Sequence, residues 1–121
     1  MDTPTDRTNR TILFQFRSRD LLWILTLGFV TNFVTIGYIT FGSDAAHLPM
    51  AFLIIMANLF TIIGGVDGMD DFKAIIADYD EEEAKTHMGK RLIDTPWIMF
   101  KGLVTILFGG LAILQLYAMY A

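Results

Sequence analysis

The chain has no cysteine. That excludes disulfide bonds, thiolate metal sites and cysteine nucleophiles. It has only two histidines, His47 and His87, well apart in sequence. Charged residues are scarce at 18% of 121 residues, against the roughly 25% usual in soluble domains. They are also clumped, so that long stretches carry none. The net charge is −4, and no basic stripe interleaves with aromatics, so nucleic-acid binding is not expected.

What fills the space between the charges is apolar. Three runs stand out: "LLWILTLGFVTNFVTIGYITF" over 21–41, "LPMAFLIIMANLFTIIGGV" over 48–66, and a third within 97–121 that starts at Trp97. Each reaches the roughly 20 residues that a helix needs to cross a hydrocarbon core about 30 Å thick. Only Lys101 interrupts them, one turn inside the third run, where its stem can snorkel to the headgroups. A soluble bundle would show polar residues every second or third position. The expected fold is therefore an all-α membrane protein with three transmembrane helices. Expected segments are an N-terminal arm 1–20, a short outer loop 42–47 and an acidic loop 67–96 between the second and third spans.

Orientation follows from the basic residues. Arg7, Arg10, Arg17 and Arg19 precede the first span, and Lys73, Lys85, Lys90 and Arg91 lie in 67–96, with Lys101 just after. The loop 42–47 has no base. Three crossings place all nine on one side, which the positive-inside rule makes cytoplasmic. The N-terminus is thus expected inside and the C-terminus outside, in the inner (cytoplasmic) membrane of a bacterium. The first twenty residues are too charged for a cleaved signal peptide. Ser18 or Asp20 is the expected cap of the first span, and Asp94 or Thr95 that of the third, with Pro96 in its first turn.

Within the spans lie three amides, Asn32, Asn58 and Gln115. At about 1.5 Å of rise per residue, Asn32 and Asn58 fall at similar depth on antiparallel neighbours. Small and polar residues share helical faces: Gly28, Thr31, Asn32 and Thr35 in the first span, and Ala51, Asn58, Thr61 and Gly65 in the second. In the third, Gly102, Thr105, Gly109 and Ala112 do so. Such faces let backbones approach, so they are the expected helix–helix contacts. A pore lined by Asn32 and Asn58 is the sharper alternative. No Asp, Glu, His or Arg lies inside a span, as proton relays and ion-coupled carriers require.

The loop 67–96 carries nine acids and four bases. "MDDFKAIIADY" spaces Met69, Phe72, Ile76 and Tyr79 as a short amphipathic helix over about 69–79, lying on the membrane or on a partner. Asp78, Asp80, Glu81, Glu82 and Glu83 form an acidic row, expected to dock a basic cytoplasmic partner. Gly89 is the expected residue after the following helical turn. His87 lies four residues after Glu83, but two ligands are too few for zinc. A helical di-iron site needs repeated Glu-x-x-His pairs, and "DYDEEEAKTHMG" has Glu where a calcium loop needs Gly. His47, in the outer loop, is the one candidate cofactor ligand, for a haem or chlorophyll shared with a partner. In the arm, Ile12, Phe14 and Phe16 alternate as in a strand, an exposed edge that asks for cover.

In length, span number and orientation the chain is similar to the membrane anchors of succinate dehydrogenases. Their second span carries a haem-ligating histidine, and none of these spans has one. The expected function is a small accessory or anchor subunit of a larger membrane complex, of the respiratory or photosynthetic electron-transfer type. On its own it is not expected to be an enzyme. Partners are other membrane subunits and the lipid bilayer. No intrinsic cofactor is expected, though lipid, quinone or pigment can sit at a shared interface. The alternatives are a homo-oligomeric channel or carrier, and a quinone- or haem-contacting subunit of an oxidoreductase.

Overall fold

The structure, a computed structural model, describes residues 3–121. These residues form helices and turns only. Helix α1 spans Pro4–Phe41 and α2 spans His47–Ala77, joined by a 3-10 turn at Asp44–Ala46. Two short helices follow, α3 at Glu81–Lys85 and α4 at His87–Asp94, and α5 spans Trp97–Tyr120. Helices α1, α2 and α5 are each long and apolar enough to cross a membrane. Their outward faces are crowded with Phe33, Phe60, Ile106, Ile113 and Leu114, all exposed, the reverse of a soluble bundle.

Helix α2 is central. It packs along both α1 and α5, which touch one another far less. The interior is layered. Toward the α1–α2 turn, Ala51, Ile54 and Met119 are buried together; toward the charged end, Met69, Val104 and Phe108 are. Between these apolar layers lie Asn32, Thr35, Asn58, Thr61 and Gln115, all buried. Close approach explains several glycines. A Cβ at Gly28 would stand 2.7 Å from Thr61 Cγ2 and 3.0 Å from the Phe108 ring.

The turn between α1 and α2 is built on Tyr38. Its hydroxyl donates to the Ser43 carbonyl and accepts from the Ala46 N–H at 3.2 Å. A Cβ at Gly42 would fall 2.5 Å from the Tyr38 carbonyl oxygen, so only glycine fits there.

The helices run further than the apolar runs. Helix α1 does not start at Ser18 or Asp20. Thr3 caps it through a box with Asp6, and Pro4 sits in its first turn. The arm is thus helical, not strand-like. Nucleation upstream and the packing of Phe14 on Phe72, with ring centroids 4.9 Å apart, override the period-two pattern. Residues 69–77 are likewise no separate surface helix: they continue α2, and Met69, Phe72, Ile75 and Ile76 are buried within the protein. The run Gly64, Gly65 and Gly68 does not break α2, because α1 and α5 press on it there. A Cβ at Gly68 would meet Leu21 at 3.2 Å, and one at Gly65 would meet Val104 at 3.3 Å.

Two caps also differ. Pro96, not Asp94 or Thr95, is the N-cap of α5, and Thr95 ends α4. Gly89 lies inside α4 rather than after a helix end. A Cβ there would stand 2.0 Å from the Glu83 carbonyl oxygen, so the sharp α3–α4 junction demands glycine.

Candidate functional site

The buried polar layer is one network across all three long helices. Asn32 Nδ2 donates to Asn58 Oδ1 at 2.9 Å, and Asn58 Nδ2 donates back to Asn32 Oδ1 at 3.1 Å. Gln115 Nε2 donates to the same Asn32 Oδ1 at 2.7 Å. The Thr35 hydroxyl donates to Gln115 Oε1. Each amide spends its second N–H on its own helix: Asn32 on Gly28 O, Asn58 on Ile54 O and Gln115 on Leu111 O. Every amide N–H of the layer therefore has an acceptor inside the protein.

The residues expected to pack divide into two groups. Gly28, Asn32, Thr35, Asn58, Thr61 and Gly65 are buried. Thr31 is only half-buried and returns its hydroxyl to Leu27 O. Thr105 is exposed and bonds Lys101 O, and a Cβ at Gly102 or Gly109 would meet nothing within 4 Å. Helix α5 thus turns its large stripe inward, Val104, Phe108, Gln115 and Met119, and leaves Gly102, Thr105 and Gly109 of its small stripe outside, while Ala112 packs against Ala51, Ile54 and Met119. The physical reason is complementarity. The facing stripe of α2 already supplies small residues, Ala51, Thr61 and Gly65, into which bulky side chains fit.

At the charged end the acidic row meets arginines of α1. Arg7 Nε donates to Asp80 Oδ2 at 2.6 Å, and Arg7 Nη1 lies 3.0 Å from Glu82. Arg10 donates to Glu83 and lies 3.9 Å from Asp80. Asp80 and Glu83 also cap α3 by a capping box. The basic partner expected for this row is thus supplied, for Asp80, Glu82 and Glu83, by the chain itself; Asp78 and Glu81 stay exposed. One turn or two further along, Arg17 pairs with Asp71 and reaches Asp67 at 3.8 Å, and Lys101 bonds Asp70 at 2.5 Å.

Protonation couples to this clasp. The Asp80 carboxyl is held below the usual carboxylate range, first by the Glu83 backbone N–H and then by Arg7 and Arg10, against the opposing effect of burial. Asp6 is lowered too, chiefly by hydrogen bonds from Thr3. A carboxyl with a lowered folded pKa stabilises the fold above its unfolded value, about 4, and that contribution disappears as pH falls through the lower folded value. Acidification from pH 7 to 3, which takes these carboxyls below their unfolded value, is therefore expected to loosen the arm. Amide exchange in residues 4–14, corrected for intrinsic rates, should quicken at pH 3, and Asp80→Asn should quicken it at pH 7. Equal protection at both pH values would reject the coupling.

His47 begins α2 at the opposite end. Its Nε2 lies 3.2 Å from Asp44 Oδ1, and its ring stands edge-on to Tyr120 with centroids 5.7 Å apart. Among the described residues, no three His, Asp or Glu side chains are placed to share a metal ion. Two features were not read from the sequence. Gln115 joins the Asn32–Asn58 pair, and the basic arm answers the acidic row. The second had a signal, since the three expected crossings would put both charge clusters on one side.

No protein-family model matches the chain, and comparison with the curated proteins and with the solved structures finds no match.

Proposed function

We propose that this chain is a small accessory or anchor subunit of a larger membrane complex, with a structural and assembly role. The carrying observation is the free face of α5. Gly102, Thr105 and Gly109 present a small surface to which no helix among the described residues is opposed, and open space surrounds each glycine. Small residues on a lipid-facing stripe give little contact with lipid but let a second helix approach closely. The partner class carried over from the sequence is a respiratory or photosynthetic electron-transfer complex. The basic residues argue for a cytoplasmic N-terminus and an outside C-terminus in a bacterial inner membrane. Phosphatase fused after Ala121, active only outside the cytoplasm, tests that orientation.

A channel formed by copies of the chain needs a polar stripe facing a pore. The amides Asn32, Asn58 and Gln115 face one another instead, with their N–H groups spent. Native purification followed by mass spectrometry of the associated chains tests the subunit reading. The wild-type protein should emerge with larger membrane chains. Gly102→Leu with Gly109→Leu should keep the wild-type melting transition, since both positions are open, yet lose those chains. Emergence of the wild type alone as a uniform species, or full retention of partners by the double variant, would sink the proposal.

A further inference from the structure

The bases of this chain fall into two sets. Arg7, Arg10, Arg17 and Lys101 are matched to acids. Arg19, Lys73, Lys85, Lys90 and Arg91 have no ion-pair partner among the described residues. One of these last, Lys73, lines an open groove of ≈ 480 Å³ between the end of α2, the end of α4 and the start of α5. Its walls are mostly apolar, with Ile76, Leu92, Ile93, Trp97 and Ile98, and Lys73 is the one charged side chain that lines it. Among the described residues no carboxylate lines the groove, so the one charge on its wall is positive.

Depth and exposure fit a lipid. Lys73 lies six residues beyond Asp67, where the apolar run of α2 ends. That is about 9 Å along the helix, just past the headgroup layer that adds about 5–8 Å to each side of the hydrocarbon core, and the flexible lysine stem can reach back into that layer. Helix α4 is amphipathic, with Met88, Leu92 and Ile93 on one side and His87, Lys90 and Arg91 on the other. Yet Met88 is 63% exposed, Ile93 48% and Ile98, at the groove wall, 77%. Apolar side chains this exposed, beside an unpaired cation whose stem reaches the headgroup layer, match a molecule that carries both an acyl chain and a negative phosphate. A second protein helix would need an acidic face and more length than a groove of this volume offers, which is in the range of small-molecule sites.

We propose that this groove binds one anionic phospholipid per chain, with its phosphate on Lys73 and its glycerol and proximal acyl carbons against Trp97, Ile93 and Ile98. The assignment is independent of which complex the protein joins.

The full chain in detergent, given phosphatidylglycerol or phosphatidylcholine with the same acyl chains, tests this by native mass spectrometry. One phosphatidylglycerol should be retained in preference to phosphatidylcholine. Lys73→Gln should lower its retention about fivefold, the effect of one base near a headgroup. Lys73→Arg should restore it. Arg19→Gln, which removes an unpaired base from α1, should leave it unchanged. Equal retention of both lipids, an unchanged Lys73→Gln, or an equal loss in Arg19→Gln (diffuse surface charge) would overturn the site. So would displacement of the lipid by millimolar inorganic phosphate, since that would make the groove a simple anion site.

Discussion

Phe108→Ala is expected to lower the unfolding free energy by about 3 kcal/mol, the lower end of the range for truncating a buried phenylalanine. The Phe108 side chain has no exposed surface. Its ring stands 5.0 Å from that of Phe29 on α1, and it is buried in one cluster with Met69 of α2 and Val104 of α5. It therefore touches all three long helices from the edge of the polar layer. In lipid, helices gain little from hiding apolar surface, because the surroundings are apolar too. What the truncation loses is close packing alone, around a ring 3.0 Å from where a Cβ at Gly28 would stand. That is why the lower end of the range applies. Reversible unfolding in mixed micelles measures the loss. The control is Ile106→Ala on the same helix, where the side chain is 75% exposed and the expected cost is about 0.5 kcal/mol or less. Similar losses at the two positions would mean that α5 does not dock through Phe108.

The contrast between Phe108 and Gly109 also marks how much of this molecule was legible in its sequence. The three long helices were, because in lipid an unbroken apolar run of this length satisfies its backbone N–H and C=O groups internally as a helix. The pairing of Asn32 with Asn58 was also within reach, since rise per residue and a short turn place them level. The rotation of α5 about its own axis was not. Its small stripe and its large stripe both have helical spacing, and the choice between them rests on the surface α2 presents. Helix ends were misplaced for a related reason. Loss of hydropathy marks where a membrane would end, whereas Phe14 on Phe72 and Arg7 on Asp80 keep the helices and their loop packed well beyond that level. The acidic row looked like a surface for another protein because its partner lies 73 residues away in the same chain.

Asn32→Leu is expected to cost about 2–3 kcal/mol, more than the same change at Asn58 or at Gln115. The asymmetry comes from the hydrogen bonds. Asn32 takes part in three bonds to other helices, two with Asn58 and one from Gln115. Asn58 takes part in two such bonds, both with Asn32. Gln115 has two as well, one to Asn32 and one from Thr35. Interhelical hydrogen bonds in membranes average about 0.6 kcal/mol and reach about 1.7. Three lost together, with Asn58 Oδ1 left buried without a donor, give the expected sum. Replacing Asn58 by leucine as well should then add little, because its partner has already gone and the second replacement removes the orphaned amide. The double variant Asn32→Leu with Asn58→Leu should thus fall well short of the sum of the single losses. Strict additivity would mean that the two amides do not bond each other. A larger loss at Asn58 than at Asn32 would move the hub of the layer from α1 to α2, and would remove Gln115 from the network that joins α5 to the other two helices.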